Sequence, residues 1–417
     1  MCDVHKSCFF ASGRADYKIQ NSKLKNMKLQ AQSSRALYAA LNKSIKCISS
    51  KNTIAILGNV LITQKDDRFF FVSSTGESRL SLPAPLTLVG GKYEGPVCIP
   101  YKEIVSLLSS LPDCVVTFTF NDKKSLTMEY STDETRTGKC DIPCFDGAEY
   151  PNMADLDEEK TMHLSLSLSF FQSVVTDASR FIVENELRPV MACLLLDVSE
   201  DRSRINFVGT TGKILFKCSH SNDPAHGGSD FYRGGDPRPL LIHLSFFKVL
   251  SVLGEDGTVD ISTDGNIMVF TSDGMEVRCR CAEGIYPNYA AVIPTKNPYF
   301  CVVDKKELVN TIRRVGVFAS SESNLVIIRK KGAFLNLSAQ DTDFARAAED
   351  QVPLLSDDCP DNFYIGATTN QICNCLQTIP SDTVRIAVSD PTRPMVITAD
   401  DPAPCIMTLC MPMLIND

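Results

Sequence analysis

Histidine is scarce. Only five occur in 417 residues (His5, His163, His220, His226 and His243). None stands in a His-x-x-x-His or His-Glu-x-x-His spacing, so no helix face presents the ligand pair of a zinc hydrolase. No apolar run reaches the ~18 residues that a membrane-spanning helix needs. The first thirty residues carry Lys and Asn where the apolar core of an export signal would lie, which points to the cytoplasm. Also missing are a Gly-x-x-x-x-Gly-Lys-Ser/Thr phosphate loop and a Gly-x-Ser-x-Gly nucleophile elbow. Gly227-Gly228 and Gly234-Gly235 lie in a polar loop without the helix start that would cradle a phosphate. The acidic pairs Asp66-Asp67 and Asp357-Asp358 fall at turns, and no spacing makes carboxylates converge for two-metal chemistry. The expectation is a protein that is not an enzyme and holds no cofactor and no metal.

Cysteine, by contrast, is abundant. There are 17, an odd number, in a chain too long to need staples and without an export signal; they read as small buried hydrophobes in a reducing compartment. Cys279 and Cys281 share one face if they lie in a strand. Neither that pair nor Cys373/Cys375 has the two-residue gap of a zinc knuckle. The net charge of −8 argues against a surface coated by nucleic acid. It leaves room for one segregated basic face, because screening at physiological salt confines surface charge effects to about 8 Å. At roughly 100–200 residues per domain the length suits two to four domains.

The chain repeats itself three times. Each copy opens with an amphipathic helix: Ser34 to Ile45, with Leu37, Leu41 and Ile45 four apart, then Leu168 to Ser179, then Lys305 to Gly316. Four-residue spacing puts apolar side chains on one helix face. A β-rich pair follows in each copy: Ala55–Gln64 with Arg68–Ser73, Met191–Val198 with Arg204–Thr210, and Asn324–Arg329 with Ala333–Ser338. Short Asp- or Gly-containing turns join them, as hairpins require. A second apolar helix comes next, beginning at Tyr101, Leu244 and Thr369. Each leads into a second strand pair, turned at Asn121-Asp122, Asp264-Gly265 and Asp390-Pro391. Glu149-Tyr-Pro-Asn closes the first copy and Ile285-Tyr-Pro-Asn the second, 136 residues apart.

These features imply an α+β fold of three tandem domains, each with two helices packed on two antiparallel sheets. The copies run 27–153, 160–292 and 298–417, with charged Asp155–Lys160 as one linker. Residues 1–26 fall outside the pattern and read as a disordered extension.

The order and spacing of these elements resemble the bacterial DNA polymerase III β subunit, or β sliding clamp, family. Asn52-Thr-Ile-Ala-Ile-Leu-Gly-Asn-Val-Leu is similar to the family's opening strand and Arg188-Pro-Val-Met-Ala-Cys-Leu-Leu-Leu to its second-domain counterpart. Gly209-Thr-Thr-Gly-Lys-Ile-Leu resembles a Thr-Asp-Gly-His-Arg-Leu segment, Tyr286-Pro-Asn-Tyr-Ala-Ala-Val-Ile-Pro a domain boundary, and Met411-Pro-Met the C-terminal signature. The resemblance spans about Met27 to Asp417. It implies a head-to-tail homodimeric ring that encircles duplex DNA without reading sequence, and tethers the replicative polymerase, the clamp loader and other proteins carrying a clamp-binding motif. A repeat-built structural or adhesion protein without DNA binding is the alternative.

A closed ring needs only weak backbone contacts. The candidates are Lys43, Lys46, Arg180, Arg188, Lys306, Arg313 and Arg314 on the first-helix faces and the loops after them. By resemblance, Lys51 matches a basic DNA-contact position and Asn185 a polar one. The family's Arg pair at the domain boundary is Ala290-Ala291 here. The resemblance also implies one pocket for partner peptides. Its lining would come from Met191, Thr210, Gly212, Ile214, Leu215 and Tyr286, from Thr392 and Pro394, and from the tail residues Leu409, Cys410, Met411, Pro412 and Met413. Two or three buried apolar anchors at roughly 1.5–3 kcal/mol each, less ordering costs, imply micromolar affinity, about −8 kcal/mol. The family's His-Arg pair in this pocket is Lys213-Ile214, and its terminal Arg is Leu414. Both changes imply a different peptide preference.

Overall fold

The computed structural model describes residues 27–49, 54–93, 95–121, 125–132, 136–185, 187–222, 231–401 and 404–415. Lys51, Asp122, Gly227-Gly228 and the proposed extension 1–26 lie outside them. One element order runs three times along the chain: strand, helix, five strands, helix, three strands, with one extra two-residue strand, Phe145–Asp146, closing the first copy. The opening strands Met27–Ala31, Met162–Ser167 and Tyr299–Asp304 belong to this repeat.

Two compact units form. The first holds the described residues up to Ala39 together with Asn59–Phe70 and Ala84–Tyr150; the second holds Ala40–Gly58, Phe71–Pro83 and the chain from Pro151 on. The helices are α1 Ser34–Ser44, α2 Tyr101–Ser110, α3 Leu168–Ala178, α4 Phe247–Leu250, α5 Lys305–Gly316 and α6 Thr369–Gln377.

In the first unit an antiparallel sheet runs Thr87–Gly90, Met27–Ala31, Val115–Asn121, Ser125–Ser131, Thr137–Pro143. Strict alternation buries Met27, Leu29 and Ala31 on one strand and Val116, Phe118 and Phe120 on its neighbour, as a sheet with one core face requires. Ile104 and Leu108, four apart on α2, add to the same core. A separate pairing joins Val60–Lys65 to Val97–Ile99 and that strand to Phe145–Asp146. Asp66 and Asp67 both have positive φ (47° and 60°), the signature of a type I′ hairpin turn.

The second unit carries three sheet regions. Ser78–Pro83 pairs with Met275–Arg280, which continues through Ile267–Ser272, Thr258–Thr263 and Met162–Ser167 to Tyr232–Arg233. A nine-stranded sheet runs Leu240–His243, Cys193–Val198, Arg204–Thr210, Ile214–Ser221, Ile406–Cys410, Met395–Ala399, Thr383–Val388, Tyr299–Asp304, Ser356–Asp357. A four-stranded sheet runs Arg346–Pro353, Phe334–Asp341, Leu325–Lys331, Tyr364–Thr368. On α3, Leu168, Phe171, Val174, Val175 and Ala178 are buried, a helical stripe at three- and four-residue spacing. The N-terminus of α5 is capped by Asp304, whose carboxylate accepts the Glu307 N–H at 2.7 Å.

Three sequence expectations need correction. Ala55–Gly58 and Pro189–Ala192 are 3₁₀ turns that precede the strands Val60–Lys65 and Cys193–Val198. A proline at the first position of the second turn suits a helical start better than a ladder. The second helix of copy two is a single α-turn flanked by 3₁₀ turns, Leu244–Phe246 and Ser251–Leu253. Its run of Phe and Val loses rotamer freedom in a helix, and Gly254 at φ 96° ends it.

The described cysteines are all free, and most are buried. No described helix is long and apolar enough to cross a membrane. No group of three or more His, Cys, Asp or Glu among the described residues could hold a metal ion.

Candidate partner-peptide site and basic helix faces

The nine-stranded sheet brings the proposed peptide-site residues together. Ile214–Ser221 pairs antiparallel with Ile406–Cys410, setting Ile214 opposite Cys410 and Leu215 opposite Leu409. The ladder then extends by one bond, the Met411 N–H donating to the Lys213 carbonyl at 2.8 Å. On the far side of the tail strand, Met395 is the partner of Cys410. The Asp390–Pro394 turn therefore arrives next to the tail, with Pro394 directly before Met395. Thr392 is exposed in that turn and is held by Asp390, whose carboxylate accepts its N–H at 2.9 Å and its hydroxyl at 2.6 Å. Those bonds pull the Asp390 carboxyl below its usual range.

The turn from Thr210 to Ile214 is built by hydroxyls. Thr210 Oγ1 accepts the Gly212 N–H at 3.0 Å and donates to the Ile214 carbonyl at 2.8 Å. Gly212 has φ 84°, a conformation that favours glycine, and the Met191 methyl packs beside it. Tyr286 lies over Cys193, Leu195, Val208, Leu215, Leu241 and Leu409. Its hydroxyl donates to the Val208 carbonyl at 3.3 Å, and burial pushes the phenol well above its ordinary value, so it stays neutral.

Burial divides these residues into two kinds. Met191, Thr210, Ile214, Leu215, Leu409 and Cys410 are buried in the chain as it stands and form a floor. Gly212, Thr392 and Met411 are exposed, and Tyr286, Pro394, Pro412 and Met413 are partly so. Sequence reasoning missed the exposed apolar side chains of the neighbouring segments. Ile285, beside Tyr286, is 94% exposed, and Val292 is 50% exposed in the turn Tyr289–Val292. Val190, Tyr289, Ile293 and Met407 also pack against the cluster under Tyr286. Val190, Tyr289, Val292 and Ile293 stood inside the Arg188 and Tyr286 segments, and Ile285 opened the second Tyr-Pro-Asn repeat; Met407 had no such signal. Such a surface can take up apolar side chains and offer backbone bonds. Among the described residues it holds no nucleophile–base pair.

The tail is fixed at the last of the signature residues. Met413 bonds backbone to backbone with Gly366 at 2.9 Å, and the Thr368 hydroxyl donates to its sulfur at 3.0 Å. Leu414 follows, 74% exposed.

Among the basic candidates, Lys43, Lys46, Arg188 and Lys306 are exposed and make no ion pair among the described residues. Lys43 sits in the last turn of α1 and Lys46 in the 3₁₀ turn after it. Arg180 follows α3 and donates to Gln377 Oε1 on α6 at 3.4 Å. The Asn185 side-chain carbonyl accepts the N–H groups of Leu187 and Arg188, both at 3.0 Å, so that side chain shapes the loop that presents Arg188. Arg313 and Arg314 end α5, where the helix dipole favours positive charge. Arg313 reaches the Cys373 thiol. Arg314 is bound to Asp350 at 2.7 and 2.9 Å; the guanidinium holds that carboxyl below its usual range. Lys248 on α4 was overlooked. With Lys46, Ser49, Thr75 and Ser245 it lines a cavity of about 540 Å³.

Two family models match the chain: DNA polymerase III beta subunit, N-terminal domain, at residues 27–154, and DNA polymerase III beta subunit, C-terminal domain, at residues 290–414. The chain belongs to the DNA polymerase III beta subunit family. It is similar to the beta sliding clamp of Synechocystis sp., 21% identical over 372 residues, 87% of this chain and 93% of that protein. The beta sliding clamp of Chlamydia muridarum is 23% identical over 384 residues, 90% of this chain and 96% of the relative. Among solved structures, a sliding clamp from Pseudomonas aeruginosa superposes with a TM-score of 0.82 at 17% identity, over 94% of this chain and all of that one. The α+β clamp fold expected from the repeats is the fold of this protein, and the structural or adhesion alternative falls away. As a beta-subunit family member the clamp is a non-catalytic protein.

Proposed function

We propose that this chain is the sliding clamp of its replication machinery: two copies close head to tail around duplex DNA in the cytoplasm, and polymerase, loader and repair proteins dock by short peptides on the Met191–Tyr286–Met411 surface. Three clamp domains, 27–153, 160–292 and 298–417, make up each copy. Two head-to-tail contacts close a ring and leave no open filament.

What carries this reading is a pair of unpaired strand edges in the first and third copies of the repeat. Thr137–Pro143 ends the five-stranded sheet and Arg346–Pro353 ends the four-stranded sheet. At seven and eight residues they are the longest edge strands described, and a long bare edge is a template for pairing with another chain. Beside the second edge, one turn past the Arg314–Asp350 ion pair, Val317 and Phe318 are 74% and 40% exposed. Exposed apolar side chains next to a bare edge fit an interface. Sequence-independent attraction to DNA comes from counterion release at the unpaired lysines and arginines.

Light scattering at low and high salt tests the ring. The expected mass is twice the 45.9 kDa chain, retained in salt; a strict monomer at micromolar concentration overturns the ring as drawn. Retention on circular DNA that is lost when the circle is cut tests encirclement, with a clamp loader supplied.

A further inference from the structure

The groove between the tail and the edge of the four-stranded sheet lies outside the peptide site proper. Its volume is about 870 Å³. Gly366 explains how one wall is made. A β-carbon there would lie 2.7 Å from the Met413 carbonyl oxygen, 2.9 Å from Leu325 Cδ1 and 3.1 Å from Ile415 Cγ1. Glycine thus lets the tail lie against the sheet beside Leu325. From that wall the groove crosses Ile327 and Ser338 and ends at Asp341, Asp343 and Glu349.

The lining has one sign of charge. Those three are its only charged residues, and no Lys or Arg lines it among the described residues. Asp341 is 7% exposed, its carboxylate accepting the Asp343 N–H at 3.2 Å. Asp343 is exposed and makes no ion pair among the described residues, and Glu349 accepts the Asn336 side-chain N–H at 3.3 Å and meets Lys331 at 3.5 Å, with the Lys331 and Glu349 side chains half exposed or more. Met413 lines the groove and is also a residue of the peptide site, so the two are continuous.

We propose that this groove is a second docking site for the same partner peptides, taking a basic flanking segment: apolar carbons of Lys or Arg stems lie over Leu325, Ile327 and Leu414, and their charged heads reach Asp343 and Glu349. The inference rests on the peptide-site reading above. Long basic side chains match this lining, since their stems cover apolar surface while the head stays near water and a carboxylate.

The test is fluorescence anisotropy with two labelled peptides. One is a short apolar clamp-binding peptide; the other is the same peptide with four Lys/Arg residues added, at either end in turn. The extended peptide should bind wild type about three- to tenfold tighter at low salt, the yield of two exposed ion pairs, with the gain shrinking as salt rises. Asp343→Asn, off the Arg346–Pro353 edge strand, should cut the gain and leave the dimer mass unchanged; adding Glu349→Gln should abolish the gain, and neither change should alter the affinity of the short peptide. No gain in wild type, or a gain that survives the double substitution, overturns the groove. A gain seen in dilute monomer but absent in the dimer overturns it too, by showing a second copy in the groove. If the short peptide itself fails to bind, the peptide site falls and this extension with it; binding of the short peptide without a gain removes the groove alone.

Discussion

The Met413 N–H donates to the Gly366 carbonyl at 2.9 Å, while the Met413 carbonyl oxygen stands 2.7 Å from where a Gly366 β-carbon would be. One residue thus both holds the tail and leaves room for it. Gly366→Ala should push the tail off the sheet, since backbone is the atom in the way. Overpacking of this kind costs about 1–3 kcal/mol. Denaturant unfolding should report that loss, and anisotropy with a short apolar peptide should show affinity falling by more than stability alone explains. Unchanged affinity with normal tail protection would show that the tail does not shape the site.

Charge removal should separate the free cations from the paired one. Neutralising one phosphate fewer lowers the slope of log K against log salt by about 0.9. Lys46→Gln and Lys306→Gln should each flatten the slope of DNA binding by up to that amount. Arg314→Gln should flatten it less, because Asp350 already neutralises the guanidinium at 2.7 Å. Arg314 is 60% exposed, so its ion pair adds at most about 1 kcal/mol to stability. Equal effects at all three positions would refute this ranking.

Much of this was legible in the sequence because period and turn chemistry are local. Leu37 and Leu41 on α1, the strand alternation around Phe118, and Asp264-Gly265 all announced their structure. Gly265 takes φ 96°, and the Asp264 carboxylate accepts the N–H groups of Asn266 and Ile267. The residues of the proposed peptide-site floor were named by resemblance, but their burial was not legible. Whether Leu215 and Leu409 line an opening or a core depends on the pairing of strands some 190 residues apart, which no local pattern states. The Arg314–Asp350 bond and the approach of the tail to Gly366 are likewise contacts between distant segments. Lys248 stayed hidden because it lies on a second helix, whereas the basic candidates came from the first helices, and the cavity it shares with Lys46 joins distant segments.

Replacing the exposed apolar side chain just past the end of α5 should dissociate the ring without unfolding the chain. Val317→Asp changes a side chain that is 74% exposed, so it should alter monomer stability by no more than about 0.5 kcal/mol. Light scattering should show the mass halve, with an unchanged thermal midpoint when dilute. A dimer that persists would place the interface elsewhere.

Asp201 gives the hairpin between Cys193–Val198 and Arg204–Thr210 a definite acid response. The hydroxyls of Ser199 and Ser203 donate to its carboxylate at 2.5 and 2.7 Å, and the Ser203 N–H at 3.1 Å. Those bonds lower its pKa from 3.8 to about 2. The folded value lies below the unfolded one, so the stabilisation is complete above 3.8 and fades as pH falls toward about 2. A carbon-detected NMR titration should place the Asp201 midpoint near 2, and Ser199→Ala with Ser203→Ala should move it up. A midpoint at the ordinary value in the native protein would contradict the bonding.

Thiol chemistry offers the last test, because burial sorts the cysteines sharply. Cys405 is the one exposed cysteine among those described. Burial pushes Cys98 and Cys301 up to about 12 and Cys144, Cys193 and Cys281 to about 11. At neutral pH these have almost no thiolate, the form that reacts. Among the described cysteines, a maleimide pulse on native protein, read by peptide mass mapping, should therefore label Cys405 first, with Cys140 and Cys281 following slowly because they are only partly exposed. Cys98, Cys193 and Cys301 should label only once denaturant opens the core. Labelling of Cys193 in the native state, quenched by an apolar peptide, would instead mean that the floor beneath Tyr286 opens to solvent, and that partners bind by filling it.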